Sequence, residues 1–164
     1  MLTYGMNLFT SMLFYLLFNL AYTEDYVQEF QANVNILKEY SISKNKKFRS
    51  YELLGTFTDE LGNFGKLDVI ITSDVENNKL IKLEATGKNT YSNEEYLYFR
   101  AYRKESDFDV GVAIAEITGA SDKFKPLIGM KCVQSVKYFK DTIFGIQKCK
   151  AKKSQINILK NKSN

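Results

Sequence analysis

Hydrophobic and polar residues alternate along most of the chain after residue 47. The segment EYLYFRAYRK, for example, places Leu97, Phe99 and Ala101 on one side and polar or aromatic residues on the other. Alternation with a period of two predicts a β-strand with one buried face. Similar segments, separated by turn residues, are FRSYELLGTF, KLDVIITSD, KLIKLEATG, DVGVAIAEITG, CVQSVKYF and TIFGIQKC. Their length and spacing predict an all-β fold, an antiparallel barrel or sandwich of about eight strands.

The region before these segments has a different pattern. In DYVQEFQANVNILKEY the apolar residues recur at spacings of three and four: Val27, Phe30, Val34 and Leu37. This spacing predicts a short helix. The alternative is an extended arm with an edge strand at NVNILKEYSI. We therefore assign 24–47 to an N-terminal helix or arm and 48–150 to the antiparallel β domain.

Two further features refine the expected β domain. In DVGVAIAEITG one face of the strand carries only Gly111, Ala113 and Ala115, and the other carries larger apolar residues. Small side chains on one face leave room for large neighbours, as the interior of a small barrel requires. KLIKLEATG is expected to place Ile81, Leu83 and Ala85 together on one face.

The first 23 residues are expected to be a signal peptide. No charged side chain precedes Glu24, and the run from Leu8 to Tyr22 is mostly apolar. The run is shorter than the about 20 residues of a membrane span, and Ala21 and Thr23 are small residues spaced for cleavage near Glu24. The alternative is an uncleaved anchor or a buried N-terminal helix. We expect a secreted, extracellular protein.

The two cysteines are expected to form a disulfide. If CVQSVKYF and TIFGIQKC are strands joined by the two-residue loop 140–141, Phe139 faces Thr142, and Cys132 then faces Cys149. Facing positions bring the sulfur atoms within bonding reach, and secreted proteins keep such pairs oxidised. A redox pair would need a closer Cys-x-x-Cys spacing, and a metal site would need more ligands.

The composition excludes several kinds of chemistry. The chain contains no histidine, which removes Ser-His-Asp and Cys-His nucleophiles and histidine-bound metals. Paired carboxylates occur in or beside predicted turns and are interpreted as solvated turn residues, since general acid–base catalysis needs a carboxylate in a pocket. The glycines are too widely spaced for a phosphate-binding loop. We therefore assign no catalytic residues, no metal and no cofactor.

Basic residues are concentrated near the carboxyl terminus. Residues 122–164 carry 11 basic and two acidic side chains. We assign 151–164 to a basic tail that is either a solvated, poorly ordered terminus or a contact for an anionic surface. The lysines available for such a contact are Lys148, Lys150, Lys152 and Lys153; no nucleic acid is expected as a partner. The triplet NKS makes Asn161 an acceptor for N-glycosylation.

The segment GASDKFKPLIG, from Gly119 to Gly129, resembles a signature of the allene oxide cyclase/dirigent-type β-barrels. The residues that match in kind are Gly119, Ser121, Lys123, Phe124, Leu127 and Gly129. Where that signature has glycine, this chain has Ala120, Asp122 and Pro126, and catalytic residues of the family are not carried over. The resemblance implies an eight-stranded antiparallel barrel with a small lumen and without cofactor or metal. Members of this family steer phenoxy-radical coupling or a ring closure.

The outer face of EYLYFRAYRK is a candidate partner surface. Core packing places its apolar set inside, because an unpaired arginine is costly to bury, so a stripe of tyrosine and arginine lies outside. This stripe consists of Tyr96, Tyr98, Arg100 and Tyr102; the alternative is an ordinary solvent face. The prediction is a secreted, non-catalytic binding protein for an unknown protein or a small apolar ligand. The alternative is a small-ligand or dirigent/cyclase-like barrel acting on a small apolar substrate.

Overall fold

Eight antiparallel strands, joined in sequence order, close into a barrel in which the first strand pairs with the last. The computed structural model describes residues 23–107 and 109–160. The strands are β1 (Thr23–Ser43), β2 (Lys46–Asp59), β3 (Phe64–Glu76), β4 (Lys79–Tyr91), β5 (Tyr96–Asp107), β6 (Val110–Ala120), β7 (Lys131–Phe139) and β8 (Thr142–Lys152). A 3-10 helix, Asp122–Leu127, connects β6 to β7, and helix α1, Lys153–Lys160, follows β8. The predicted all-β antiparallel fold is confirmed as a barrel.

The predicted N-terminal helix at 24–47 is wrong, because these residues form β1 and the start of β2. Alternate residues of β1 point into the barrel, at Tyr26, Gln28, Phe30, Ala32 and Val34. Because this inward set includes the polar Gln28 and the small Ala32, the spacing of apolar residues alone did not reveal the period of two. Closure also requires this strand, since β1 supplies the edge that pairs with β8 from Thr23 to Asn33.

The second half of β1 pairs with β2 alone, while β2 stays paired with β3 along its length. β8 accompanies β1 only as far as Asn33, and residues 35–43 are exposed on both faces. Two irregularities interrupt the pairing with β2, between Ile36 and Lys38 and between Ser41 and Ser43. In this half of β1, Glu39 forms ion pairs with Lys47 and Arg49 of β2.

The barrel interior is filled by side chains, as expected for eight strands. Its apolar residues include Leu53, Val69, Ile71, Leu97, Phe99 and Ile143. The small face of β6 lies inside, with Ala113 and Ala115 buried, as the sequence predicted. Ile81 is a correction: a register shift opposite Asp74 and Val75 makes it the extra residue of β4, and it turns outward while Leu80 is buried.

One end of the barrel, here called the capped end, is closed by the two short helices. Phe124 and Leu127 of the 3-10 helix are buried against it, together with Ile156 and Leu159 of α1. The assignment of 151–164 to a tail is therefore wrong for residues 151–160: 151 and 152 end β8, and 153–160 form a helix with a buried apolar side. A helix in which every third or fourth residue is apolar buries that side when a surface is available.

Aromatic side chains fill the capped end. The Tyr91 ring makes edge-to-face contacts with Phe57 and Phe124, each with centroids 4.9 Å apart. The Tyr26 hydroxyl donates to Asp59 Oδ2 at 2.7 Å and lies 3.4 Å from the Tyr91 hydroxyl. Both polar tips are thus satisfied, which a buried tyrosine requires.

The predicted disulfide is confirmed and lies inside the barrel near the capped end. Cys132 and Cys149 are bonded and face each other in the β7–β8 register, which begins with Phe139 opposite Thr142. Both cysteines are buried. The two-residue loop is as predicted, with Lys140 at a φ of 56°. The bond therefore joins two adjacent strands rather than two layers of the fold.

Candidate functional site

The lumen of the barrel contains a cavity of about 50 Å³. Its walls are mainly apolar, with contributions from Phe30, Leu83 and Phe99. Four amides, one guanidinium and one phenol also reach it: Gln28, Asn89, Gln134, Gln147, Arg103 and Tyr138. A mostly apolar cavity with a few convergent polar groups is the usual form of a small-molecule site.

The amides form a belt across the lumen. Gln134 Nε2 donates to Gln147 Oε1 at 2.7 Å, and Gln147 Nε2 donates to Gln28 Oε1 at 3.4 Å. From the opposite wall, Asn89 Nδ2 donates to the same Gln28 oxygen at 3.2 Å. A further oxygen of the belt, Asn89 Oδ1, is buried and accepts no hydrogen bond from the described residues. The belt therefore presents an unused acceptor.

Arg103 lies at the other end of the cavity, near the barrel end opposite the helices, here called the far end. Its side chain is buried, with 3% of the residue exposed. Nε donates to Ser106 Oγ at 2.8 Å, and Nη2 donates to the carbonyl oxygens of Asp107 and Val110. Gly111 leaves the space that the guanidinium occupies, since a Cβ there would lie 2.2 Å from Arg103 Nε.

Two tyrosines accompany Arg103 at the far end. The hydroxyls of Tyr51 and Tyr138 are 3.2 Å apart. Burial raises the pKa of both phenols, and the positive charge of Arg103 opposes this effect on each. Burial lowers the pKa of Arg103 itself, while its neighbours raise it. The arrangement is a neutral phenol pair beside a buried cation.

Reasoning from the sequence missed Arg103 and the amide belt. The signal for Arg103 was present: it continues the alternation of Leu97, Phe99 and Ala101 by one more step. From the sequence we did not place Arg103 inside the barrel, because burying an arginine without hydrogen bonds is costly. Here three oxygens from the β5–β6 connection supply those bonds, and this connection cannot be read from the strand pattern.

The tyrosine–arginine stripe lies on the outer face of β5, as predicted. Tyr98 and Tyr102 are about half exposed, Arg100 is exposed, and Tyr96 is half-buried. The Tyr96 and Tyr98 rings are in edge contact at 5.4 Å, and Lys88 Nζ lies 4.7 Å from the Tyr96 ring centroid. The predicted orientation is thus confirmed, and the role of the stripe in partner binding stays a prediction.

The outer face beside this stripe carries exposed apolar side chains. Tyr102 pairs with Ile114, and Ile114 pairs with Val133, but the β8 partner of Val133 is Lys148. We define the outer patch as six side chains, each about half exposed: Val110, Val112, Ile114, Val133, Phe144 and Ile146. Ser135 and Lys137 of β7 lie between the β6 and β8 members of this patch. Exposed apolar side chains bordered by polar residues often mark a contact surface.

The predicted lysines lie at the capped-end side of the outer patch. Lys148, Lys150 and Lys152 point outward from β8, and Lys153 begins α1. Lys150 Nζ forms an ion pair with Asp25 at 2.6 Å, which offsets part of this positive charge. An anionic partner for the lysines stays a prediction. The signal peptide and the glycosylation site at Asn161 fall outside the described residues, apart from residue 23.

In the part of the chain that the structure describes, no helix has the length and apolar content needed to cross a membrane. No group of three or more metal-ligating side chains in it could hold a metal ion.

The segment that resembles the cyclase/dirigent signature spans the end of β6, the 3-10 helix and Gly129, which has a φ of 86°. The eight-stranded antiparallel barrel implied by that resemblance is the fold observed. No protein-family model, no curated protein and no solved structure matches this chain.

Proposed function

We propose that this chain is a secreted, non-catalytic protein that binds a small, largely apolar molecule in the barrel lumen. The observation that carries the proposal is the lumen cavity with apolar walls and convergent polar groups at both ends.

The size of the cavity limits the ligand. A cavity of about 150 Å³ accommodates benzene, and this one is about 50 Å³. A molecule of a few heavy atoms fits directly, and a longer one requires the rings of Phe30 or Phe99 to move. The capped end is closed by two helices, so access is from the far end.

Secretion and the lack of catalysis rest on separate arguments. A disulfide is typical of proteins from oxidising compartments, and the apolar leader before Glu24 agrees with that. Among the described residues, no aspartate or glutamate lines the cavity, and the chain has no histidine. A cyclase-like reaction on a bound molecule would need a positioned acid or base, so we favour binding.

The test is to fill the lumen and measure ligand retention. Native mass spectrometry of the secreted protein is expected to show a bound small molecule, released on denaturation. Ala85→Leu adds three carbon atoms to the cavity wall and is expected to abolish retention. Thr86→Leu, on the adjacent outward-facing residue, is the matched control and is expected to retain the ligand. Equal retention by both variants would contradict a lumen site.

A second candidate function is partner binding through the outer patch and the adjacent stripe. The observation that favours it is the group of six half-exposed apolar side chains on the outer face of β6–β8. Replacing Tyr98 and Arg100 together by Ala is expected to leave folding almost unchanged and to weaken partner binding, as is Ile114→Lys. Ile70→Lys, on the outer face of β3, is the matched control. A partner captured equally by all variants would not be bound through this surface.

A further inference from the structure

We infer that the lumen ligand carries a carboxylate, and that this carboxylate pairs with Arg103. The inference rests on the proposed lumen function and specifies its ligand class. The ligand is expected to be a small monocarboxylic acid with an apolar tail. Its head would lie at the far end of the cavity and its tail would point toward the amide belt.

The first argument is the unbalanced charge of Arg103. Buried arginines are almost always paired with an acid, because an isolated buried charge is costly. Within residues 23–107 and 109–160, no carboxylate lies within ion-pair distance of this guanidinium; its bonds go to a hydroxyl and two carbonyls. Asp107 and Asp109 are nearby but exposed to solvent. The lumen therefore contains a cation without an anion in contact.

The second argument is the chemistry around the guanidinium. Tyr51 and Tyr138 could neutralise it only as phenolates, and burial keeps both phenols protonated by raising their pKa values. The hydrogen bonds of Arg103 to described residues use Nε and Nη2, and none of them uses Nη1. Nη1 is thus available to an external acceptor. A carboxylate is the group that accepts best from arginine.

The third argument is the shape of the remaining lumen. Both Arg103 and Tyr138 line the cavity. Between them and the belt the walls are apolar: Leu53, Val69, Ile71, Phe99, Val136 and Ile143. A charged head at one end and an apolar middle match an amphipathic acid. A neutral apolar molecule would fill the middle and leave the cation unpaired.

The experiment compares acids with amides of the same chain length. Butanoate and butanamide, then hexanoate and hexanamide, are titrated into the secreted chain at constant ionic strength, with binding followed by NMR shift changes. For the wild type we expect the acid to bind at least tenfold more tightly than the amide. In Arg103→Met this ratio is expected to fall below twofold, with the affinity for the amide retained.

A pair of glycine variants tests the position of the guanidinium without changing the charge. In Gly111→Ala the new Cβ would lie 2.2 Å from Arg103 Nε, so the guanidinium must shift and the acid-to-amide ratio is expected to fall. Gly119→Ala, on the same strand, meets only the Tyr98 ring at 3.3 Å and is expected to leave the ratio unchanged.

The outcomes separate this inference from the lumen proposal. Equal binding of acid and amide to the wild type overturns the carboxylate assignment and leaves the lumen site standing. A preference that survives in Arg103→Met overturns the role of Arg103. If neither acid nor amide binds, the lumen proposal itself is overturned. If Arg103→Met does not fold, the acid-to-amide ratios of Gly111→Ala and Arg103→Lys test the role of Arg103 instead. Lysine keeps the positive charge and loses the planar fork of the guanidinium.

Discussion

The disulfide allows a quantitative test of how the barrel is stabilised. Cys132 and Cys149 are 17 positions apart and join adjacent strands that are already paired along their length. The bond therefore adds little to the geometry of the folded state. Its main effect is expected in the unfolded chain, where it closes a loop and reduces conformational freedom.

The magnitude follows from the loop length. For a closed loop of about this size, the chain-entropy relation gives about 3 kcal/mol at 25 °C. Replacing both cysteines by Ala also removes two buried sulfur atoms, for which about 1–2 kcal/mol is a fair estimate from the burial of groups of similar size. Reduction of the wild-type protein opens the loop but keeps both sulfur atoms. The reduced wild type and the double variant therefore separate the two contributions.

The assay is urea unfolding at 25 °C, followed by circular dichroism, on the oxidised protein, the reduced protein and Cys132→Ala/Cys149→Ala. With a slope of about 2 kcal/mol/M for a domain of this size, reduction is expected to lower the midpoint by about 1.5 M. The double variant is expected to unfold somewhat earlier still. Identical midpoints for the oxidised and reduced proteins would refute the loop-entropy reasoning.

Three further results are expected. Burial raises the pKa values of four tyrosines: Tyr26, Tyr51, Tyr91 and Tyr138. In an alkaline titration followed by absorbance at 295 nm, these four are expected to stay protonated above the ordinary pKa of about 10 until the barrel unfolds. The free energy of unfolding should therefore fall as the pH rises above about 10. Gly145→Ala places a Cβ 2.1 Å from the Phe30 ring and should lower the free energy of unfolding by about 1–3 kcal/mol, with Gly119→Ala as the milder control in urea unfolding. Leu159→Ala should lower the free energy of unfolding by about 2–5 kcal/mol, because this α1 side chain is buried. The control Asn157→Ala, at an exposed position of the same helix, should have little effect. Equal thermal midpoints for the two variants would show that α1 does not stabilise the capped end.

The strands β2–β8 could be predicted from the sequence, because each is marked by a local period of two, although the bulge at Ile81 turned one predicted inward residue of β4 outward. The same local reasoning placed Leu97, Phe99 and Ala101 inside the barrel. It also fixed the cysteine pair, since a two-residue loop determines which residues of a hairpin face each other. These features depend on neighbours in the sequence or on one short turn.

The candidate site could not be predicted in the same way. Arg103 is buried because backbone carbonyls where β5 turns into β6 satisfy it and Gly111 of β6 makes room for it, and the strand pattern shows neither feature. Gln28 and Asn89 lie 61 positions apart in the chain, on β1 and β4, and meet only when the barrel closes. In the sequence, such polar residues resemble ordinary solvent-facing positions.

The sequence by itself thus determined the all-β class, most strands and the disulfide, since these follow from side-chain alternation and hairpin geometry. The tertiary structure alone decided that β1 is a strand, because its inward face mixes apolar and polar residues and its pairing with β8 spans the whole chain. It likewise decided that residues 153–160 form a helix, since their apolar side is buried only against the barrel end. Closure of the barrel is a long-range event, and it is closure that places a cation, a belt of amides and a cavity in one lumen.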